Sequence, residues 1–252
     1  MQLLRDTWLI YQRSVWLTIR QPVWIVFGMM LPLLYLFLFG PLLEGATQTA
    51  GTGTNAFNWF VPGLVIQIAM FATAFSGFGL IAELRSGVIE RMRVTPMSRA
   101  AMLLGRSLRD ITILVLQALL LIVLAIPLGL VVDPIGVVVV LGLLVLIGLV
   151  FAPLSYSGAL ILRSEDAFAP LVNSISMPLL LLSGILLPMS LAPDWLRWLS
   201  SINPLTHAVD AARSLFNGQW ADPEIAIGVA ITTVLAVISI WIAARTFART
   251  NA

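Results

Sequence analysis

Six stretches of this chain run for twenty residues or more without one charged side chain, and no soluble fold of 252 residues could bury them all. They cover residues 23–43, 59–82, 111–132, 135–162, 167–188 and 225–244. At about 1.5 Å of rise per residue, each is long enough as a helix to cross a hydrocarbon core about 30 Å thick. The expectation is an all-α polytopic membrane protein in one domain over residues 1–252, with six spans at about 23–43, 59–82, 109–132, 135–162, 167–188 and 225–246. Composition agrees, with 60% hydrophobic and only 10% charged residues, against about 25% charged in soluble domains.

The N-terminus does not read as a cleaved signal peptide. Arg5, Arg13 and Arg20 are dispersed through a tryptophan-rich stretch with no compact apolar core and no small-residue cleavage site. The absence of cysteine excludes disulfides, thiolate chemistry and cysteine-based metal sites.

All 14 basic residues are arginine, and their distribution sets an orientation. With six spans and a cytoplasmic N-terminus, only Arg197 and Arg213 fall outside, which places both termini in the cytoplasm by the positive-inside rule. Residues 3–19 carry Leu4, Trp8, Tyr11, Val15 and Ile19 at helical spacing, as in an amphipathic helix lying on the cytoplasmic leaflet. Such a helix is either a plain surface anchor or a docking element shared between lipid and a partner. The glycine-rich segment 45–55 reads as a flexible outer connection.

Residues 83–99 are the most informative connection. Val88, Ile89 and Met92 form an apolar edge, Glu90, Arg91 and Arg93 lie on other faces, and Thr95-Pro96 reads as a cap opening the next helix. A basic retention loop explains the arginines, but only a docking helix also explains the edge and the capped restart. Between the fifth and sixth runs, residues 193–201 and 204–217 suggest two short helices at the outer interface or in a re-entrant hairpin. The first is rich in tryptophan, and the second is opened by Asn203 and Pro204.

Polar groups inside the runs are few. Gln67, Thr73 and Ser76 lie in the second, Gln117 in the third, and Asn173, Ser174, Ser176 and Ser183 in the fifth. Helix packing accounts for such groups, and a substrate path is the alternative, with Asn173 and Ser176 one turn apart. No charged residue lies inside any of the six runs, so the usual relay of an ion-coupled carrier is missing. A phosphate-binding loop is excluded too, because the chain contains no lysine. Catalysis is disfavoured: His207 is the only histidine, and with Asp210 it reads as a helix-surface pair or a polar rim.

Two segments carry a family resemblance. One is Glu90-Arg91-Met92-Arg93-Val94-Thr95-Pro96-Met97-Ser98 after the second run. The other is Leu182-Ser183-Gly184-Ile185-Leu186-Leu187-Pro188, continuing through Pro193-Asp194-Trp195-Leu196-Arg197-Trp198 to Asn203-Pro204-Leu205-Thr206. In their order and spacing the chain resembles the membrane subunit of bacterial ABC-2 type exporters, including the daunorubicin and doxorubicin resistance permeases.

The resemblance implies a non-catalytic permease in the bacterial inner membrane, exporting an amphiphilic drug-like molecule or lipid. A polysaccharide or glycolipid precursor is an alternative cargo, and a lipid-modifying enzyme a weaker one. It implies a separate cytoplasmic ABC ATPase that holds ATP and magnesium, and a second, identical permease in a 2:2 complex, with membrane lipid and no nucleic acid as further partners. This chain would bind no cofactor or metal. Contact with the ATPase would fall to residues 3–19 and about 85–94, with Glu83, Arg85, Val88, Glu90, Arg91, Met92, Arg93, Thr95 and Pro96 as coupling residues. Gln67, Thr73, Asn173 and Ser176 would face the path, and Trp195, Trp198, His207 and Asp210 would rim the outer gate.

Overall fold

Asp133 starts the longest helix of the protein by accepting bonds from the backbone N–H groups of Ile135 and Gly136, with Pro134 in the first turn. The uninterrupted apolar run then holds the helix to Leu162, where Arg163 turns the chain at φ 52°. The same logic of apolar runs and polar punctuation recurs along the whole computed structural model, which describes residues 2–20, 23–50, 55–87, 99–186 and 188–249.

Ten α-helices are described: α1 (Gln2–Arg20), α2 (Val23–Ala50), α3 (Ala56–Ala74), α4 (Gly77–Arg85), α5 (Arg99–Ala125), α6 (Pro134–Leu162), α7 (Glu165–Leu182), α8 (Asp194–Ile202), α9 (Pro204–Phe216) and α10 (Pro223–Arg249). α3 is the central element, buried from Phe60 through Met70 against α2, α5, α6 and α9. α6 lies between α3 and α10, and α9 packs against both α6 and α10. Two close approaches set this packing: a Cβ on Gly136 would meet the Leu215 carbonyl, and one on Gly228 would meet that of His207.

The expectation of six spans is corrected. Four helical segments among the described residues are long and apolar enough to cross a membrane: Ala56–Arg85, Leu104–Leu128, Pro134–Leu162 and Pro223–Thr246. The first and fifth expected spans, 23–43 and 167–188, are not among them. The described apolar stretch of α2, Gly28–Glu44, is shorter than a span. α7 has only 18 residues, opens with Glu165 and Asp166, and carries Asn173, Ser174 and Ser176 midway, so continuous lack of charge over 167–188 overstated its apolarity. Both helices still pack along the bundle: Gln117 of α5 donates to the Ile25 carbonyl near the start of α2, and Gly40 near its end meets Phe57 of α3.

Other boundaries match the sequence more closely. The N-terminal amphipathic segment is α1, the runs 111–132 and 135–162 fall on separate helices parted before Pro134, and the two short helices before the last span are α8 and α9. The expected second span is a helix pair, α3 and α4, joined by a turn at Phe75-Ser76.

Candidate functional site

α4 and α5 flank the 88–98 connection, and a polar cluster ties both to the rest of the bundle. α5 starts at Arg99, well before its apolar run, so Arg106, Arg109 and Asp110 occupy its early turns. Arg106 and Asp110 are buried, and Arg109 is half-buried. Arg106 donates to Glu83 near the end of α4. One turn further along α5, the Asp110 carboxylate accepts from the hydroxyl of Tyr156, a side chain of α6 that is 1% exposed. The Arg109 Nε lies 3.1 Å from Asp110 Oδ1, an ion pair between neighbours on one helix and too poorly aligned for a hydrogen bond.

The same turns of α5 seat α1. Gly105 admits the α1 backbone: a Cβ there would lie 2.8 Å from both the Thr7 carbonyl and the Ile10 side chain. Tyr11 and Thr112 share a hydroxyl hydrogen bond of 3.3 Å, and the Arg109 Nη1 donates to Thr18 at 3.4 Å. The face that α1 turns to the protein therefore centres on Ile10, while Leu4, Trp8, Trp16 and Ile19 are exposed. The apolar stripe expected over Leu4, Trp8, Tyr11, Val15 and Ile19 divides, with Tyr11 and Val15 half-buried. α4 is further fixed to α6, because Ser155 accepts from the Gly77 N–H at 2.8 Å and donates to the Ala74 carbonyl at 2.6 Å. Arg85 pairs with Glu165 of α7 at 3.4 Å, where both side chains are largely exposed.

Of the expected coupling residues, Glu83 and Arg85 are thus placed in ion pairs. Val88, Glu90, Arg91, Met92, Arg93, Thr95 and Pro96 lie outside the described residues. Asp110 and Arg106 were missed by sequence reading because the apolar run begins at Ile111, and Tyr156 because it sits inside the apolar run 135–162. Their signal was the spacing of Arg106 and Asp110, four residues apart and so on one helix face.

The expected path residues do not form one lining. Gln67 is 1% exposed and neither atom of its side-chain amide has a partner among the described residues. Thr73 spends its hydroxyl on the Ala69 carbonyl of its own helix. Ser176 is buried, whereas Asn173, one turn away, is exposed.

At the opposite end of α3, α9 is sunk between helices, burying Leu205, Val209, Ala212 and Phe216. His207 and Asp210 do not bond to each other. His207 lies 3.4 Å from Glu224 of α10 and 3.0 Å from the Ser201 carbonyl of α8. Asp210 pairs with Arg213 at 3.0 Å. Burial pushes the Asp210 carboxyl above the usual carboxylate range, with Arg213 pulling the other way, and burial pulls the Arg213 guanidinium down against the opposing effect of Asp210. Trp195 and Trp198 are exposed on α8, a position suited to an interfacial anchor.

The bundle thus carries buried charges at one end of α5 and a short helix pair, α8 and α9, before its last helix. Residues 5–217 match the family model for the ABC-2 type transporter. The chain belongs to that family. Its members are non-catalytic membrane subunits of ABC transporters, and the chain is accordingly a multi-pass membrane permease component. It is similar to the daunorubicin resistance ABC transporter permease protein DrrB1 of Streptomyces coeruleorubidus, 24% identical over 89% of this chain and 79% of that protein. Similarity extends to the putative transport permease ycf38 of Cyanophora paradoxa, 26% identical over 85% of this chain and 75% of that protein, and to ycf38 of Pyropia yezoensis, 28% identical over 89% and 79%.

Proposed function

We propose that this permease subunit moves an amphiphilic drug-like molecule or a lipid outward across a bacterial inner membrane, driven by a separate cytoplasmic ABC ATPase that binds ATP and magnesium. The observation that carries the reading is the seating of α1 on the early turns of α5, together with the ion pair that ties Glu83 of α4 to Arg106 of α5. A push at this surface reaches that partly buried ion pair and the hydroxyl contacts of α1. The buried charges among the described residues, Arg106 and Asp110, lie near one end of the span Leu104–Leu128, which supports an energy source outside the chain over an ion relay along the spans.

An amphiphile suits a body whose buried polar groups are mostly serine, threonine and amide side chains. The resistance permease of Streptomyces coeruleorubidus favours a drug-like cargo in this group of relatives. A second copy of the chain completes the transporter, and both termini face the cytoplasm. α2 and α7 support the pairing, because they leave Phe37, Leu38, Ile175 and Leu181 exposed.

Reconstitution tests the reading. Proteoliposomes holding the chain and its partner ATPase are expected to release a fluorescent anthracycline or a labelled lipid only with ATP. No association with any ATPase encoded beside the chain, or ATP-independent flux, overturns it.

A further inference from the structure

The polar cluster at the inner end of α5 has more structure than an anchoring role needs. Arg106 and Asp110 sit one turn apart on the same helix, and each reaches a different neighbour: Arg106 takes Glu83 of α4, and Asp110 takes Tyr156 of α6. Between them Arg109 pairs with Asp110 and donates to Thr18 of α1. Four helices therefore meet through three consecutive charged positions of α5's inner face, and the 88–98 connection joins two of them. The cost of burying these groups is met only while all the partners stay in place.

We infer that Asp110 is a positioning residue that locks α6 to α5, so that α5 and α6 move as one body. This rests on the proposed ATP-driven function for its motion, but not for the lock itself. Glu83 and Arg106 add one ion pair between α4 and α5. The Tyr156 hydroxyl then passes the movement to α6, which packs along α10 and beneath α9. The Asp110 carboxylate suits this role because it accepts from Tyr156 and carries the charge that faces the Arg109 guanidinium at 3.1 Å, whereas an asparagine loses that charge and accepts more weakly.

The chain contains no cysteine, so introduced pairs report cleanly. Spin labels at Leu108→Cys on α5 and Ile161→Cys on α6, both exposed, measure the distance between the locked helices in full-length protein in nanodiscs. Without a partner, the parent background is expected to give one narrow distance distribution, and Tyr156→Phe or Asp110→Asn a broadened one. Distributions as narrow in both variants as in the parent overturn the lock, whatever the partner does. With the ATPase bound, the parent distance is expected to stay the same with and without nucleotide, and a change overturns the single-body movement. In transport assays Tyr156→Phe lowers molecules moved per ATP hydrolysed by about fivefold or more. Glu83→Arg and Arg106→Glu each do the same, and the double exchange restores coupling. Failure to find a working ATPase sinks the proposed function alone, because the partner-free distance measurement still decides the lock.

Discussion

Arg213 holds Trp59 twice: its guanidinium lies over the indole ring at 4.2 Å from the centroid, and its Nε donates to the Trp59 carbonyl at 3.1 Å. The other end of the guanidinium donates to the Gly184 carbonyl at 2.8 Å and to Asp210 at 3.0 Å. One side chain of α9 thus joins the start of α3 to the turn after α7, where Gly184 adopts φ 72°. Removing it leaves two buried acceptors and a carboxylate without their donor. Arg213→Ala is expected to cost about 1–3 kcal/mol, read as a lowered unfolding temperature in detergent. Arg213→Lys recovers only part, because an ammonium cannot reproduce the planar fork. An alanine variant as stable as the parent would show that the outer turn is held by other contacts.

Two carboxylates at this end of the bundle shift in opposite directions, which separates them by pH. The Ser214 hydroxyl, and then the Glu224 N–H, hold Asp222 below its ordinary value of 3.8. A depressed carboxylate contributes stability above its ordinary value and loses it as the pH falls through its folded value. Asp210 is raised by burial, so its contribution runs the other way: present below 3.8, and lost as the pH rises through its folded value. Asp222→Asn is expected to flatten the fall in unfolding temperature below about pH 4, and Asp210→Asn to flatten a rise on acidification above it. Identical pH profiles for both variants would contradict this assignment.

Gly105 and Gly79 offer a matched pair on neighbouring helices. A Cβ at Gly105 meets α1 at 2.8 Å, whereas one at Gly79 meets nothing within 4 Å. Gly105→Ala is expected to destabilise by about 1–3 kcal/mol as α1 is forced outward. Gly79→Ala should be neutral or stabilising by up to about 1 kcal/mol, from helix propensity. Thermal unfolding of the two variants side by side checks the seating of α1. Equal effects would mean that α1 rides loosely on α5.

What could be read from the sequence follows the range of the interactions involved. The Asn203-Pro204 start of α9 depends on residues next to each other and appears where the cap places it, and Asp133-Pro134, which separates two apolar runs, is likewise a local helix start. Span count depended on treating absence of charge as sufficient, and α7 shows why it is not: an acidic first turn and a polar middle leave it short of the apolar length required. The Asp110–Tyr156 contact joins residues 46 positions apart, and no local pattern encodes it. His207 and Asp210 suggested a pair by spacing, yet each found a different partner once α10 was packed beside α9.

Gln67 separates a packing residue from a working one. Its side chain lies within the core of α3, and neither its oxygen nor its nitrogen has a partner among the described residues. A buried amide left unpaired costs about 1–3 kcal/mol, so a residue serving only to pack would be improved by an apolar replacement of similar size. Gln67→Leu is accordingly expected to raise the unfolding temperature. If the amide meets cargo or pairs in a second packing of the bundle, the same variant loses ATP-driven transport while gaining stability. A stable variant with full transport would remove Gln67 from the path, and a destabilised one would show that its amide is satisfied in the resting protein.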